Sequence, residues 1–335
     1  MEYTRLGSSG LKVSKIILGC MTYGSSKWEG SPWILDEEES FAVLKKAYDA
    51  GINTWAHMYS NGKSEEIVGK AIKKFNIPRS KIVILTKIFN PVADDDSRPP
   101  GVNDRAWVNQ MGLSRKHVFD AVDNCLRRLG THYIDVLQIH RLDHETTPEE
   151  IMRALHEVVL SGKVRYLGAS SMYTWEFARL QYTAKLNNWT PFISMQPFYN
   201  LLYREEEREM LPFCKETGVG VIPWSPIARG ILARPRVKEG EKSSSAREQV
   251  DARTKVWFAD ANLNIIDAVE KVAKDRGISM VLIATAWVLS KGCWPIIGLT
   301  SEKRVEEIVK ALEVKLTDEE LKFLESGYKP RSVQM

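Results

Sequence analysis

The chain has 335 residues, 44% of them hydrophobic and 27% charged, with 47 basic against 43 acidic side chains and a net charge of +4. Those proportions exclude a disordered chain and suit one large globular domain or two ordinary ones. With no apolar run of about 18 residues to span a bilayer, no secretory pattern in MEYTRLGSSG and no basic stripe interleaved with aromatics, a cytoplasmic protein without membrane or nucleic-acid partners is expected.

The segment from Tyr3 to Val13, with GSSG at its centre, reads as a β-hairpin ahead of the main fold. A rhythm of strand, loop and helix then begins. Ile16 to Leu18 precedes a helix from Asp36, where Asp36 and Glu39 form a capping-box pattern. Asn53 to Trp55 precedes a helix from about Ser64, and Ile82 to Thr86 precedes one from Ser114 that Gly130 can end in a left-handed cap. Tyr133 to Ile139 leads to a helix with Thr147 as cap, Pro148 at its first position and Glu150 in its first turn. Val164 to Leu167 is followed by a helix over Thr174 to Asn187, and Phe192 to Met195 by one near Arg204 to Thr217.

Val219 to Pro223 is the seventh strand, followed by a polar loop from about Ala233 to Asp251. Helical patterns over Ala261 to Arg276 and Ser279 to Ser290 lead to an eighth strand, Pro295 to Ile297, and a closing pair of helices. Eight alternations without a linker predict one domain over residues 1–335, a (β/α)8 TIM barrel with an N-terminal β-hairpin and C-terminal helices. A doubly wound sheet is the alternative, but no G-x-G-x-x-G follows the first strand and no phosphate-loop motif occurs. Cys20, Cys125, Cys214 and Cys293 lie far apart with no CxxC or Cys/His pairing, so reduced packing thiols and no metal site are expected.

In such a barrel the chemistry stands just past the C-terminal strand ends. There the chain puts Gly19, the segment Ala56 to Tyr59, Lys87, His140, Ser170 and Ser171, Gln196, Ser225 and Gly298. Tyr59, Lys87 and His140 form a proton-transfer set: a phenol donates, an ammonium lowers its pKa, and an imidazole orients a carbonyl oxygen. Each alone has a structural reading, a rim tyrosine, a strand-end lysine or a hydrogen-bonded core histidine; the three together favour the functional one. In GLTSEKRVEE, Ser301 sits at a helix start with Arg304 on its first turn, a place for a phosphate. WSPIARG, Trp224 to Gly230, offers small residues and a ring for stacking. A phosphate-bearing ligand with an aromatic ring fits both.

YTRLG, KIVILTK, GLSRKH, VLQIHRLD, LSGKVRYLGASS, QPFYN, IPWSPIARG and GLTSEKRVEE, in this order, resemble the aldo-keto reductase family over almost the whole chain. The resemblance is to the branch with aryl-alcohol dehydrogenase-like reductases and potassium-channel β subunits. It implies NADP(H) across the barrel mouth, with Ser170 and Gln196 on the nicotinamide amide, Trp224 on its ring, and Ser225, Ile227 and Gly230 over the pyrophosphate. Thr300 and Arg304 would take the 2′-phosphate and Glu307 the adenine amine, with Gly298 at the last strand end and Arg247 in the polar loop as further candidates. Channel subunits replace the strand-four histidine; this chain keeps His140, which favours catalysis on a small carbonyl substrate.

The family pattern after the second strand, W-D-T-A-D-x-Y, is shortened here to WAHMY. Two residues are missing. The aspartate that pairs with the lysine falls on Ala56 counted from Trp55, or on Thr54 counted from Tyr59, so Lys87 is expected to lack its partner and His57 to sit at a wet rim. NADPH-dependent reduction of aldehydes or ketones is the leading function. An NADP(H)-binding regulatory protein with little turnover and a phosphate-substrate lyase or isomerase on the same barrel are the alternatives.

Overall fold

The computed structural model describes residues 1–28, 31, 33–57, 62–93, 107–236, 251–258 and 261–334. A hairpin of β1 (Tyr3–Arg5) and β2 (Lys12–Ser14) precedes eight parallel strands: β3 (Ile17–Gly19), β4 (Thr54–Ala56), β5 (Val83–Ile88), β6 (Ile134–Ile139), β7 (Val164–Ser170), β8 (Phe192–Gln196), β9 (Gly220–Val221) and β10 (Ile296–Gly298). They pair in the order β10-β3-β4-β5-β6-β7-β8-β9. The ring closes where the N–H groups of Trp294 and Ile296 donate to the carbonyls of Val221 and Pro223, both at 2.9 Å. This is the expected (β/α)8 barrel.

Single helices follow the first six barrel strands: α1 (Glu37–Asp49), α2 (Lys63–Lys74), α3 (Arg115–Leu129), α4 (Pro148–Leu160), α5 (Thr174–Leu186) and α6 (Met210–Thr217). Among the described residues three stand between β9 and β10, α7 (Ala252–Trp257), α8 (Asn264–Arg276) and α9 (Met280–Ser290), and α10 (Glu302–Ile308) and α11 (Asp318–Glu325) follow β10. The start signals act as their chemistry predicts. Asp36 and Glu39 form a capping box on α1, and the Ser114 and Thr147 hydroxyls accept the His117 and Glu150 N–H groups on α3 and α4, caps worth about 1 kcal/mol each. Gly130 ends α3 at φ 60°.

The helix expected from Arg204 instead begins at Met210, after a separate 3-10 turn over Glu205–Glu207. The later start puts Pro212 in the first helical turn, where its missing N–H leaves no bond unmade.

The faces of each strand divide cleanly. Val83 and Leu85 point into the barrel while Ile84 and Ile88 point to the helices, the period-two alternation that a closed sheet imposes. The hairpin plugs the bottom of the interior: Leu6 and Val13 are fully buried against Ile17, Ala56, Leu85, Val136 and Ile222. A Cβ on Gly7 would lie 2.3 Å from the Gly218 carbonyl oxygen, so only glycine lets the hairpin dock there. Above that apolar layer, Lys87, Gln138, Gly168 and Ser194 stand in mutual register on β5 to β8. The interior therefore turns polar toward the strand ends.

Outside the barrel, Glu65 on α2 and Arg128 on α3 form an ion pair at 2.5 Å with side chains 1% and 6% exposed. Thr86 on β5 donates its hydroxyl to the other Glu65 oxygen. A Cβ on Gly69 would lie 2.3 Å from the Leu129 carbonyl oxygen, so glycine lets α2 and the end of α3 meet. Together these fix α2 against α3 and β5.

Candidate active site

Lys87 ends the inward face of β5 and is 4% exposed. Its Nζ donates to the carbonyl oxygen of His57 at 2.8 Å. Ala56 faces the same interior in register with Leu85, one inward position below Lys87 on the neighbouring strand. A methyl group thus stands where the family pattern, counted from Trp55, has an aspartate, and a neutral peptide oxygen takes the lysine's proton. Burial, reinforced by the Arg141 guanidinium, brings the lysine down to a pKa of about 7. Among the described residues no carboxylate bonds to Lys87.

His57 departs from expectation. It is fully buried, with Nδ1 3.1 Å from the Ser64 hydroxyl, which itself donates to the Cys20 carbonyl at 2.7 Å. His57 still follows the ladder past Ala56, its N–H donating to Leu85 O at 2.8 Å. Its ring then takes the helix-facing side. Burial, with Lys87 adding to it, lowers its pKa to about 3, so the ring is neutral at physiological pH.

His140 follows β6 and is half-buried. Its Nδ1 lies 2.8 Å from the Asn90 side-chain nitrogen. The amide N–H is the donor, so Nδ1 accepts and the neutral ring carries its proton on Nε2. Asn90, three residues past Lys87, therefore sets the histidine tautomer. It is a residue the motif reading passed over.

On β7 and β8 the side chains form a connected ledge. The Ser170 hydroxyl and Ser171 N–H both donate to the Gln196 carbonyl, at 2.9 and 3.3 Å. Trp224 Nε1 donates to the Ser171 hydroxyl at 3.0 Å, and its ring stacks on Phe198 at 4.4 Å. Phe198 in turn stacks on Tyr203 at 4.7 Å. The Gln196 side-chain nitrogen is buried without a hydrogen-bond partner among the described residues, as are both amide atoms of Gln138 and the Ser194 hydroxyl. Unpaired buried donors are costly unless something else meets them. A carboxamide over Gln196, as in nicotinamide, would do so, and the ledge fits that group.

The loop after β9 carries four consecutive or near-consecutive residues in left-handed backbone: Ser225 (φ 53°), Ala228 (φ 49°), Arg229 (φ 56°) and Gly230 (φ 102°). Ile227 is half-buried among them, and the Ser225 carbonyl is held by Asn200 at 3.1 Å. Such backbone turns successive N–H groups toward one side, the arrangement an anion uses. Gly298 at the end of β10 is exposed, and past it Arg304 NH1 donates to the Thr300 hydroxyl and Glu307 is half-buried on α10. The Ser301 hydroxyl accepts the Arg304 N–H and so caps α10. Tyr59 and Arg247 lie outside the described residues.

Of the loop aromatics, Tyr23 is packing: it is fully buried and its hydroxyl donates to Leu299 O at 3.0 Å. Trp107 lines a groove of about 480 Å³ between α2 and α3, together with Lys63, Gln110 and Arg128. That groove contains none of the candidate residues. All four cysteines are free and buried, no group of three metal-binding side chains gathers among the described residues, and no described helix is long and apolar enough to cross a membrane.

Comparison with known proteins agrees with this geometry. Residues 15–329 match the model of the aldo/keto reductase family. The chain is 54% identical to versiconal hemiacetal acetate reductase of Aspergillus parasiticus, over 99% of this chain and 98% of that one. It is 51% identical to a Schizosaccharomyces pombe protein provisionally named an aryl-alcohol dehydrogenase, over 99% and 97%, and 49% identical to aldo-keto reductase AFTS1 of Alternaria alternata, over 99% and 93%. The chain therefore belongs to the aldo/keto reductase family, oxidoreductases that reduce aldehydes and ketones with NADPH.

Proposed function

We propose that this single-domain protein works in the cytoplasm on small aldehydes, aromatic ones among them, with Tyr59, Lys87 and His140 as its catalytic groups. The relatives' names, a hemiacetal acetate reductase and an aryl-alcohol dehydrogenase, support that substrate class. Ser170, Gln196 and Trp224 would hold the nicotinamide end, Ser225, Ile227 and Gly230 the pyrophosphate, and Gly298, Thr300, Arg304, Glu307 and Arg247 the adenosine phosphate end. When bound, NADPH supplies the hydride. His140 Nε2–H donates to the substrate oxygen and orients it, and Tyr59 gives up the proton that completes the alcohol.

The observation that carries the reading is the ledge of Ser170, Ser171, Gln196 and Trp224, whose buried amide nitrogen has no protein partner among the described residues. Ala56 sets the rate. With a methyl group below Lys87 in place of a carboxylate, the lysine is held near neutrality and supports the Tyr59 phenolate poorly, which lowers turnover by about 10²–10⁴. Titration with NADPH, followed by tryptophan fluorescence, and NADPH oxidation with benzaldehyde test this. Saturable binding with slow, aldehyde-dependent oxidation is expected. Binding without any turnover would favour the regulatory reading, and no binding would remove the ledge from the cofactor site.

A further inference from the structure

We propose that Lys87 is a carbonyl-capturing amine: it condenses reversibly with aldehydes at the barrel mouth to form an imine. The proposal rests on the reading that carbonyl compounds enter this site. Its geometric basis is the company Lys87 keeps. A lysine becomes a nucleophile when it is desolvated and set beside another cation instead of an anion. Lys87 is buried at the strand end, its Nζ bonds to the peptide oxygen of His57, and no carboxylate pairs with it among the described residues.

Among the described residues, the groups that face Lys87 bring no carboxylate to it. From β4 comes the methyl of Ala56 and then His57, whose buried ring is neutral; from the end of β6 comes the Arg141 guanidinium, which disfavours the ammonium; from the end of β3 comes the buried Cys20 thiol. Of these, only the thiol favours the charged form, and burial opposes its ionisation. With its pKa brought down to about 7, a substantial share of Lys87 is free amine at neutral pH.

The step balances without an oxidant or reductant. The amine lone pair forms a C–N bond to the carbonyl carbon, the carbonyl oxygen takes up the two nitrogen hydrogens and leaves as water, and a C=N bond remains. Hydrolysis reverses it. Aldehydes are favoured over ketones because their carbon is less crowded.

The test uses the full chain without NADPH, benzaldehyde as probe and sodium cyanoborohydride to reduce any imine to a stable secondary amine, with adducts located by peptide mass spectrometry. At pH 7, labelling of Lys87 is expected to exceed that of the exposed Lys185 and Lys303 by about tenfold or more, because Lys87 alone of the three is desolvated beside another cation. Labelling of Lys87 at or below their level would overturn the proposal. Ala56→Asp, which returns an anion to the interior beside the lysine, is expected to lower labelling of Lys87 about tenfold; unchanged labelling in a variant that still binds NADPH would count against it. Should that variant fail to fold, the wild-type pH profile decides: half-maximal labelling near pH 7 supports the proposal, and a midpoint above pH 9 overturns it. Aldehyde-dependent NADPH oxidation, measured separately, divides the two readings. Labelling without oxidation sustains the imine and sinks the reductase, whereas oxidation without labelling sinks the imine alone.

Discussion

Lys87 Nζ donates to the backbone carbonyl of His57 across 2.8 Å, so the one ammonium at the end of β5 is met by a dipole instead of an anion. A peptide oxygen satisfies the hydrogen bond but does not offset the charge, and in a buried site the difference is large.

The lysine makes stability depend on pH. The unfolded chain keeps that proton up to about pH 10.5, whereas the folded protein releases it near pH 7. Between those values unfolding takes up a proton, so stability rises with pH, and the cost of burying the ammonium is fully present below pH 7. A depression of that size corresponds to on the order of 5 kcal/mol as an upper figure. Urea unfolding of Lys87→Met and the wild type should therefore show a larger gain for the variant at pH 6.5 than at pH 9.5. Equal gains at both would mean that Lys87 is not held near neutrality.

His57 acts in the opposite pH range. Its folded pKa of about 3 lies below the ordinary 6.5, so the unfolded chain binds the proton first on acidification. Stability should fall from about pH 6.5 toward pH 3, and His57→Asn should flatten that slope in denaturant titrations at pH 7, 5 and 4. A slope identical to the wild type would place the imidazole in contact with solvent.

Much of this was legible in the chain. The eight strands in their order, the caps at Asp36, Ser114 and Thr147 and the glycine stop at Gly130 all rest on local chemistry, and local chemistry is written in the sequence, although most strands end one to three residues from where the pattern puts them. His57 was misread because a residue count shows where a segment shortens but not which face the remaining side chain takes; that depends on Leu85 and Ser64, which come from other elements. Asn90 and Ser171 were missed as positioning residues for the same reason. Each acts through a hydrogen bond to a distant residue, His140 and Trp224 respectively.

The Glu65 and Arg128 pair is a second place where one element depends on another. Removing Arg128 leaves the buried Glu65 carboxylate without its countercharge, with only the Thr86 hydroxyl to meet it, and breaking a buried pair in this way typically costs about 3–5 kcal/mol. Arg128→Met should lower the urea midpoint accordingly and loosen α2 against α3. A loss under 1 kcal/mol would show that the pair is water-exposed in solution.

Cofactor preference should rest on Arg304. Its guanidinium is exposed beside Thr300 at the start of α10, free to turn toward a 2′-phosphate. Charge-assisted bonds of this kind are worth about 1.5–3 kcal/mol, so Arg304→Ala should weaken NADPH roughly 10- to 100-fold while leaving NADH nearly unchanged. An unaltered ratio of the two dissociation constants would remove Arg304 from the site.

The central claim is that the chain binds NADPH normally but lacks the anion its proton donor depends on. Replacing Ala56-His57 with Asp-Thr-Ala-Asp restores both the carboxylate and the length of the segment leading to Tyr59. The measurement is kcat for benzaldehyde reduction beside the NADPH dissociation constant, in the chain as it stands and in the restored chain. The account predicts a rise in kcat of about 10² or more with little change in cofactor affinity, and equal kcat values in the two proteins would contradict it.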